Sequence, residues 1–466
     1  MKAKTTVRLA VGLAGLIAAI SMGTTAHAQV VVNMGGSSAA TPFASIVPVT
    51  LCDAGTATQY INGDMAVATS GKLISWTCKR SGADIIIRYS ATGSSDGILR
   101  LQQPESNALS NLNFLDHNVF PGTCSGSLNN KTLVIGGTTY TWTQYTGCTG
   151  GPLSLPLQVG WADVGGSSFH QTGPITKVQK PLDDSALISQ QAAIVTFGFV
   201  LGNGVQRVDP STGKVKGTVR SLSQDQIIAL LSRGVTDWRQ LGLGTAPVNA
   251  DGSPAAVDTP ADATSPITLC LRQAGSGTKA ALQVTVLTTG VPETPAGSTD
   301  LAQAADGVYF GTSNQDVRDC LAGNTGNSRP AHRKGFGYME MDQAELLQNP
   351  GLGLVGQGYI VRMDDYLADD PALTTAGIDR QAYVKCGKWK YWVGERFNTR
   401  NPASADANVV TLINAFFNSA SDPNVIANAV TTWVAPSAMN VHKNADPGPM
   451  IFNALPQATT ACDSIN

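Results

Sequence analysis

Charge is scarce in this sequence, and neither sign dominates. Only 14% of the 466 residues are charged, and 31 Lys and Arg against 33 Asp and Glu give a formal net charge of -2. Nucleic-acid-binding proteins usually carry a basic surplus, so this balance argues against a nucleic-acid partner. Disordered chains are poor in apolar residues, whereas 42% of this sequence is hydrophobic. The composition therefore indicates a globular protein, and the length predicts two or three domains.

Metal-binding patterns are also lacking. The five His residues show no H-x-x-x-H or H-E-x-x-H spacing, and the eight Cys residues form no C-x-x-C motif. His and Cys at such spacings are the usual zinc ligands in proteins. We therefore expect neither a metal ion nor a cofactor.

The amino terminus has the pattern of an export signal. A basic start precedes the apolar residues 9–20, and Ala26-His27-Ala28 then offers small residues at the positions that a signal peptidase reads. This apolar run is shorter than the roughly 20 residues that span a bilayer, and no later run is long enough. The sequence predicts a signal peptide over residues 1–28, cleaved near Ala28, and a periplasmic or secreted protein.

Eight Cys residues in an exported chain favour disulfide bonds. Eight cysteines allow 105 connectivities, and the sequence alone does not choose among them. A preference for short loops favours pairing in chain order, as Cys52–Cys78, Cys124–Cys148, Cys270–Cys320 and Cys386–Cys462.

The order of apolar runs predicts a mixed α/β fold. Residues 83–89 form a β-branched run that leads into a Gly/Ser turn and a helix start. Residues 193–201 are continuously apolar, as in a strand buried on both faces. Residues 223–233 predict a helix, because Ser223 and Gln226 have capping-box spacing. Residues 102–157 are rich in Asn, Thr and Gly and are typical of an inserted hairpin or loop region.

Three turns rich in Gly, Ser and Thr stand at predicted helix starts. They occupy residues 35–43, 92–97 and 272–278, and the third begins with Arg272. The free N–H groups and positive dipole end of a helix attract anions, and hydroxyls and a guanidinium add donors. Each turn alone is compatible with an ordinary helix cap. Together they predict a site for an oxyanion.

The three turns, in this order, resemble the ligand loops of the phosphate-binding proteins of bacterial high-affinity phosphate ABC importers. The most specific element is Arg272-Gln-Ala-Gly-Ser-Gly-Thr278, which is similar to the family's Arg-x-x-Gly-Ser-Gly-Thr motif. The resemblance implies an α/β type II periplasmic binding protein fold, with two lobes joined by two crossing strands. It implies a first lobe over residues 29–192 plus 336–466, containing the insertion 102–157, and a second lobe over 193–335.

The resemblance also implies the strands and residues that carry function. Residues 193–201 resemble the first crossing strand, and residues 335–339 resemble the strand that returns to the first lobe. The implied ligand residues are Thr41, Phe43 (through its backbone), Ser94, Ser168, Arg272, Ser276, Gly277 and Thr278.

One position departs from the family. The family has an Asp that accepts the proton of phosphate, and the matching segment, residues 163–168, ends here in Ser168. A carboxylate repels sulfate, which has no proton to offer, whereas a Ser hydroxyl both donates and accepts. We therefore expect weaker discrimination between the two anions. Asp96 offers an alternative acceptor, although an Asp at a helix start is typically a capping residue.

The implied function is the capture of an inorganic oxyanion, with phosphate the first choice, by a non-enzymatic monomer that serves an ABC permease. One alternative is a secreted member of the same fold that acts in adhesion or anion scavenging. Another is a serine hydrolase, because Gly93-Ser-Ser-Asp-Gly97 fits the G-x-S-x-G nucleophile elbow. Ser95 would then be the nucleophile, with Asp319 and His332 as partners.

Overall fold

The computed structural model describes most of the chain that follows the predicted signal peptide. The described residues are 29–63, 71–126, 129–150, 152–169, 182–249, 251–287, 293–294, 307–322, 333–348, 358–443, 450–452, 462 and 465. The predicted signal peptide and His332 lie outside these ranges.

The described chain contains both β-strands and α-helices. The strands are β1 (Val30–Gly36), β2 (Thr58–Ile61), β3 (Leu73–Arg80), β4 (Ala83–Ala91), β5 (Asn111–Phe114), β6 (Asn129–Ile135), β7 (Thr138–Tyr145), β8 (Leu153–Pro156), β9 (Val159–Ala162), β10 (Ile188–Gly202), β11 (Val205–Asp209), β12 (Lys214–Thr218), β13 (Ser221–Leu222), β14 (Leu243–Thr245), β15 (Thr268–Arg272), β16 (Val308–Gly311), β17 (Gly335–Glu340), β18 (Gly358–Met363), β19 (Trp392–Thr399), β20 (Val441–Lys443) and β21 (Met450–Phe452). The α-helices are α1 (Thr41–Leu51), α2 (Ser94–Leu101), α3 (Gln224–Leu231), α4 (Gly277–Leu282), α5 (Asn314–Ala322), α6 (Met341–Gln348), α7 (Pro371–Thr375), α8 (Ala382–Lys385), α9 (Ala407–Ala420) and α10 (Pro423–Ala429).

A 14-stranded sheet runs through the molecule in the order β16-β15-β17-β10-β19-β9-β1-β4-β3-β2-β7-β6; β18 also pairs with β10, and β13 pairs with β18. Strand β10 joins its two halves. Residues 188–196 of β10 pair with β19, and residues 197–202 pair with β17 and β18. At about 3.3 Å per residue, the 15 residues of β10 reach about 50 Å, which is enough to serve both halves. The fold is α/β with two lobes, as predicted, and the buried run 193–201 is the strand that crosses between them.

The return path differs from the prediction. Strand β17 does not return to the first lobe, because it pairs with β15 and with the second-lobe part of β10. Strand β18, which lies in the predicted first lobe, also pairs with residues 199–202 of β10. The chain returns through residues 389–399, where Tyr391 stacks on Phe199 and β19 pairs with both β10 and β9. Local sequence patterns predict a strand but not its partner, so residues 335–339 were expected to cross between the lobes and residues 389–399 were not.

The predicted insertion forms two separate hairpin-like pairs. Strands β5 and β8 pair with each other outside the large sheet. Strands β6 and β7 extend the edge of the first-lobe sheet, because β7 lies parallel to β2. The first lobe therefore has an added wall beside α1 and α10, which contact β7 and β6.

The covalent framework agrees with the sequence prediction. All four disulfides join cysteines that are neighbours in the chain order, at Cys52–Cys78, Cys124–Cys148, Cys270–Cys320 and Cys386–Cys462. The predicted capping box of α3 is also present, between Ser223 and Gln226. Within the described ranges, no helix has the length and apolar character needed to cross a membrane.

Candidate functional site

The first and second predicted turns lie side by side in the first lobe. Strands β1 and β4 are parallel neighbours, so the loops at their carboxyl ends meet at one edge of the sheet. Gly36 has φ +120°, and a Cβ there would collide with the Trp161 carbonyl, so only Gly allows this close approach. The N–H groups of Thr92 and Gly93 donate to the Gly36 carbonyl at 2.9 and 2.7 Å. These bonds fix the first two turns relative to each other.

A buried carboxylate stands where these turns meet. Asp163 follows β9 directly, is 2% exposed, and accepts hydrogen bonds from the Ser37 and Ser94 hydroxyls, the latter at 2.9 Å. Burial raises the pKa of Asp163, while the two Ser hydrogen bonds and the charge of Arg272 oppose that rise. The segment 163–168, whose last position holds Ser168 in place of the family's Asp, therefore presents an acid at its first position.

The third turn approaches this carboxylate from the second lobe. A Cβ at Gly277 would overlap both Asp163 Oδ2 and Ser94 Oγ, so the backbone of Gly277 lies directly against these two side chains. The Ser95 N–H also donates to the Gly275 carbonyl at 3.4 Å. All three predicted turns therefore converge, and the lobes touch at this point.

Arg272 reaches the same region from the end of β15. It is 4% exposed, and its Nη1 donates to Thr278 Oγ1 at 3.0 Å and to Asn314 Oδ1 at 2.6 Å. Among the described residues, Arg272 Nε has no hydrogen-bond partner. A buried donor without a partner is costly, and a bound anion would supply the acceptor. The hydrogen bond to Asn314 holds the guanidinium in place. The sequence motif did not indicate this role of Asn314.

The other predicted ligand residues lie at several distinct places. The Thr41 hydroxyl donates to the Ser38 carbonyl at 2.7 Å, and the Phe43 ring packs on Trp433 in the core. Ser168 is buried at the end of a short 3-10 helix, where its N–H donates to the Gly165 carbonyl. Ser276 caps α4 by accepting the Lys279 N–H at 3.4 Å. Of the predicted set, Ser94, Arg272, Gly277 and Thr278 contact the Asp163–Arg272 region directly.

Two further acids surround Asp163. Burial and the neighbouring Asp163 carboxylate raise the pKa of Glu395 well above its usual value. Burial, and then Asp342 and Asp163, raise the pKa of Glu340 to about 8, against the opposing effects of Arg272 and Asn314. Both shifts favour protonated, neutral Glu side chains at neutral pH. The site thus holds fewer negative charges than its three acids suggest.

Replacing Glu340 by Gln should change how stability depends on pH. The folded protein keeps the Glu340 proton up to about pH 8, whereas the unfolded chain loses it near 4.3. The free energy of unfolding therefore falls as pH rises between these values, on the order of a few kcal/mol in total. Glu340→Gln lacks this titration. The melting temperature of the variant minus that of the wild type should therefore increase from pH 5 to pH 9.

Thermal unfolding without ligand at pH 5, 7 and 9 measures this difference. Asp84→Asn is the control, because Asp84 is an exposed carboxylate on β4 and should leave the wild-type dependence unchanged. If the difference in melting temperature between Glu340→Gln and wild type were the same at all three pH values, the raised pKa of Glu340 would be contradicted.

The hydrolase alternative finds no support in the described residues. Ser95 is fully buried, and its Oγ has no hydrogen-bond partner within the described ranges. A nucleophilic Ser needs a base within hydrogen-bond reach. Asp319 lies on α5 in the second lobe, and its predicted partner His332 is outside the described residues.

Comparison with known proteins gives matches only among solved structures. The sequence matches no protein-family model and no curated protein significantly. A protein designated a phosphate ABC transporter substrate-binding protein, from Clostridium perfringens and solved with bound phosphate, is 11% identical with a TM-score of 0.43, over 87% of this chain and 99% of that one. An ABC-type phosphate transport receptor from Vibrio cholerae is 10% identical with a TM-score of 0.38, over 85% of this chain and 98% of that one. At such similarity, the ligand has to be inferred from the residues of this chain.

Proposed function

We propose that this protein is an extracytoplasmic solute-binding protein that captures an inorganic oxyanion, with phosphate the first choice, between its two lobes. The observation that carries the proposal is the contact of Gly277 with Ser94 and Asp163, beside the buried Arg272. Hydroxyls, backbone N–H groups and a guanidinium are the donors that a dehydrated oxyanion needs. The proposed ligand residues are Ser37, Ser94, Asp163, Arg272, Ser276, Gly277 and Thr278.

Asp163 would select the anion. A protonated phosphate can donate a hydrogen bond to this carboxylate, whereas sulfate carries no proton at neutral pH and would face its charge at short range. Neutral Glu340 and Glu395 would avoid further repulsion of the bound anion. We therefore propose that Asp163 takes the acceptor role that the family resemblance placed at Ser168, and that phosphate is preferred.

The proposed site also suggests how binding is transmitted. Ser94 and Asp163 belong to the first lobe and Arg272 and Gly277 to the second, so an anion bound by all four would hold the lobes closed. We propose that a monomer in this closed form is what an ABC permease recognises. The protein itself makes or breaks no bond in this scheme.

Calorimetric titration of phosphate and sulfate tests the proposal. The protein is first unfolded and refolded with its disulfides intact, so that bound ligand is removed. We expect phosphate to bind at least tenfold more tightly than sulfate. Asp163→Asn should reduce the ratio of phosphate affinity to sulfate affinity, because an amide does not repel sulfate and can donate a hydrogen bond to it. The exposed Asp84→Asn serves as the control. Equal affinities in the wild type, or no heat with either anion, would overturn the assignment.

A further inference from the structure

A cavity separate from the oxyanion site lies between the lobes, next to the hairpin of β6 and β7, here called the inserted hairpin. Its volume is about 570 Å³, which is in the range of pockets that hold small organic ligands. One side is formed by the first turn of α1, by β2 and by the inserted strands β6 and β7, and the other side by α6 of the second lobe. The inserted hairpin therefore builds a wall that α1 and α6 alone would not provide.

The α6 side of this cavity is rich in hydrogen-bond acceptors. Asp342, Gln343 and Glu345 line it. Gln343 is 3% exposed, and its Nε2 donates to Asp342 Oδ2 at 2.6 Å. Its Oε1 has no hydrogen-bond partner within the described part of the chain. A buried oxygen that accepts no hydrogen bond destabilises the folded protein, and a ligand hydroxyl would supply the missing donor.

The hairpin side combines an aromatic ring with anchored amides. Trp142 lines the cavity, and its Nε1 donates to Gln59 Oε1 at 3.2 Å. Gln144 Nε2 donates to the same oxygen at 2.6 Å, and Gln59 Nε2 donates to the Ser45 carbonyl at 3.1 Å. These bonds hold the indole and both amides in one arrangement, so the wall is organised before any ligand arrives.

The charges around the cavity favour a neutral ligand over an ion. Burial raises the pKa of Asp342, and burial together with Asp369 raises the pKa of Glu345 to about 8, so Glu345 favours its neutral form at neutral pH. Lys131 lies on the hairpin side of the same cavity. No cluster of like charges is present in the described lining, and such a cluster is what would hold an ion. A ligand with many hydroxyl groups both donates and accepts, which suits acids, amides and an ammonium group together. Its apolar C–H face would lie against the Trp142 ring.

We propose that this cavity binds a small neutral sugar, a mono- or disaccharide, between Trp142 and the Gln343 face of α6. The proposal can be tested separately from the oxyanion site, because none of Ser37, Ser94, Asp163, Arg272, Ser276, Gly277 and Thr278 lines this cavity, although Thr41, which the family resemblance implied as a ligand, does. Because both lobes form its walls, sugar binding would also stabilise their contact. If the sugar and the anion both favour the closed form, each should increase the affinity of the protein for the other. By linkage, the two factors are equal.

Calorimetric titration with glucose, galactose, mannose, N-acetylglucosamine, sucrose and maltose tests this site. We expect saturable binding of at least one of these sugars. Trp142→Ala and Gln343→Met should each weaken the affinity for the sugar by tenfold or more. In the absence of sugar, the phosphate affinity of both variants should stay within twofold of wild type. Thr141→Ala is the matched control, because Thr141 is an exposed neighbour on the same strand.

Two variants on opposite walls keep the test independent of the folding of either one. If Trp142→Ala unfolds the hairpin, Gln343→Met on α6 still reports on the cavity. No binding of any of the six sugars would overturn the proposal. Sugar binding that both variants retain would place the sugar elsewhere and would overturn it as well.

Discussion

Arg272→Ala should weaken oxyanion binding by about 10- to 150-fold, which corresponds to the roughly 1.5–3 kcal/mol of a charge-assisted hydrogen bond. Arg272 is the buried cation at the convergence of the turns, and its Nε has no acceptor among the described residues. Arg272→Lys keeps the charge but loses the planar fork, so we expect an intermediate loss. Calorimetric titration of phosphate into the three proteins measures the effect.

A surface arginine provides the control for this experiment. Arg239 is 54% exposed in its side chain and pairs with Asp237 at 2.8 Å. The Arg239 side chain donates hydrogen bonds to Asp237 and Ala263, outside the three turns, so Arg239→Ala should leave anion binding unchanged. Since Arg272 also holds Thr278 and Asn314, thermal unfolding without ligand has to accompany the titration. Unchanged phosphate affinity in a folded Arg272→Ala protein would remove Arg272 from the site.

Gly277→Ala should reduce oxyanion binding by at least tenfold through steric displacement. Its Cβ would overlap Asp163 Oδ2 and Ser94 Oγ, so both side chains must move from their hydrogen-bonded positions. Overpacking of this kind typically costs about 1–3 kcal/mol. Phosphate titration into the variant measures the loss.

Gly122→Ala is the matched control for this substitution. A Cβ at Gly122 would find its nearest neighbour, the Val119 carbonyl oxygen, at 3.9 Å, which is ordinary van der Waals contact. We expect wild-type phosphate affinity for Gly122→Ala. If Gly277→Ala bound phosphate as tightly as this control, the turn 272–278 would not be part of the anion site.

The sequence predicted those features that depend on local pattern. The three turns are short Gly- and Ser-rich segments at strand ends, and parallel pairing of β1 with β4 brings two of them together. The continuous apolar run of β10 marked a strand buried on both faces. Arg272 stood out because its motif is specific. These signals require no knowledge of which distant segments touch.

Features that depend on tertiary contact were missed. Asp163 begins the segment that ends in Ser168, and only the fold shows that it accepts from Ser37 and Ser94. Glu340 and Glu395 lie on strands that look ordinary in sequence, and their raised pKa values come from burial beside Asp163. The return through residues 389–399 was missed for the same reason, since strand partners are set by packing. An acid at the end of an otherwise apolar run, residues 335–340, was the available signal for Glu340.

The location of a bound anion is the central claim, and crystals grown with arsenate test it most directly. Arsenate has the shape and protonation of phosphate, and its arsenic atom is located by anomalous scattering. We predict one strong peak between the lobes, with arsenate oxygens within about 3.2 Å of the Arg272 guanidinium, the Ser94 hydroxyl and the Gly277 N–H. A cleft without arsenic in crystals that hold it elsewhere on the protein would contradict the account.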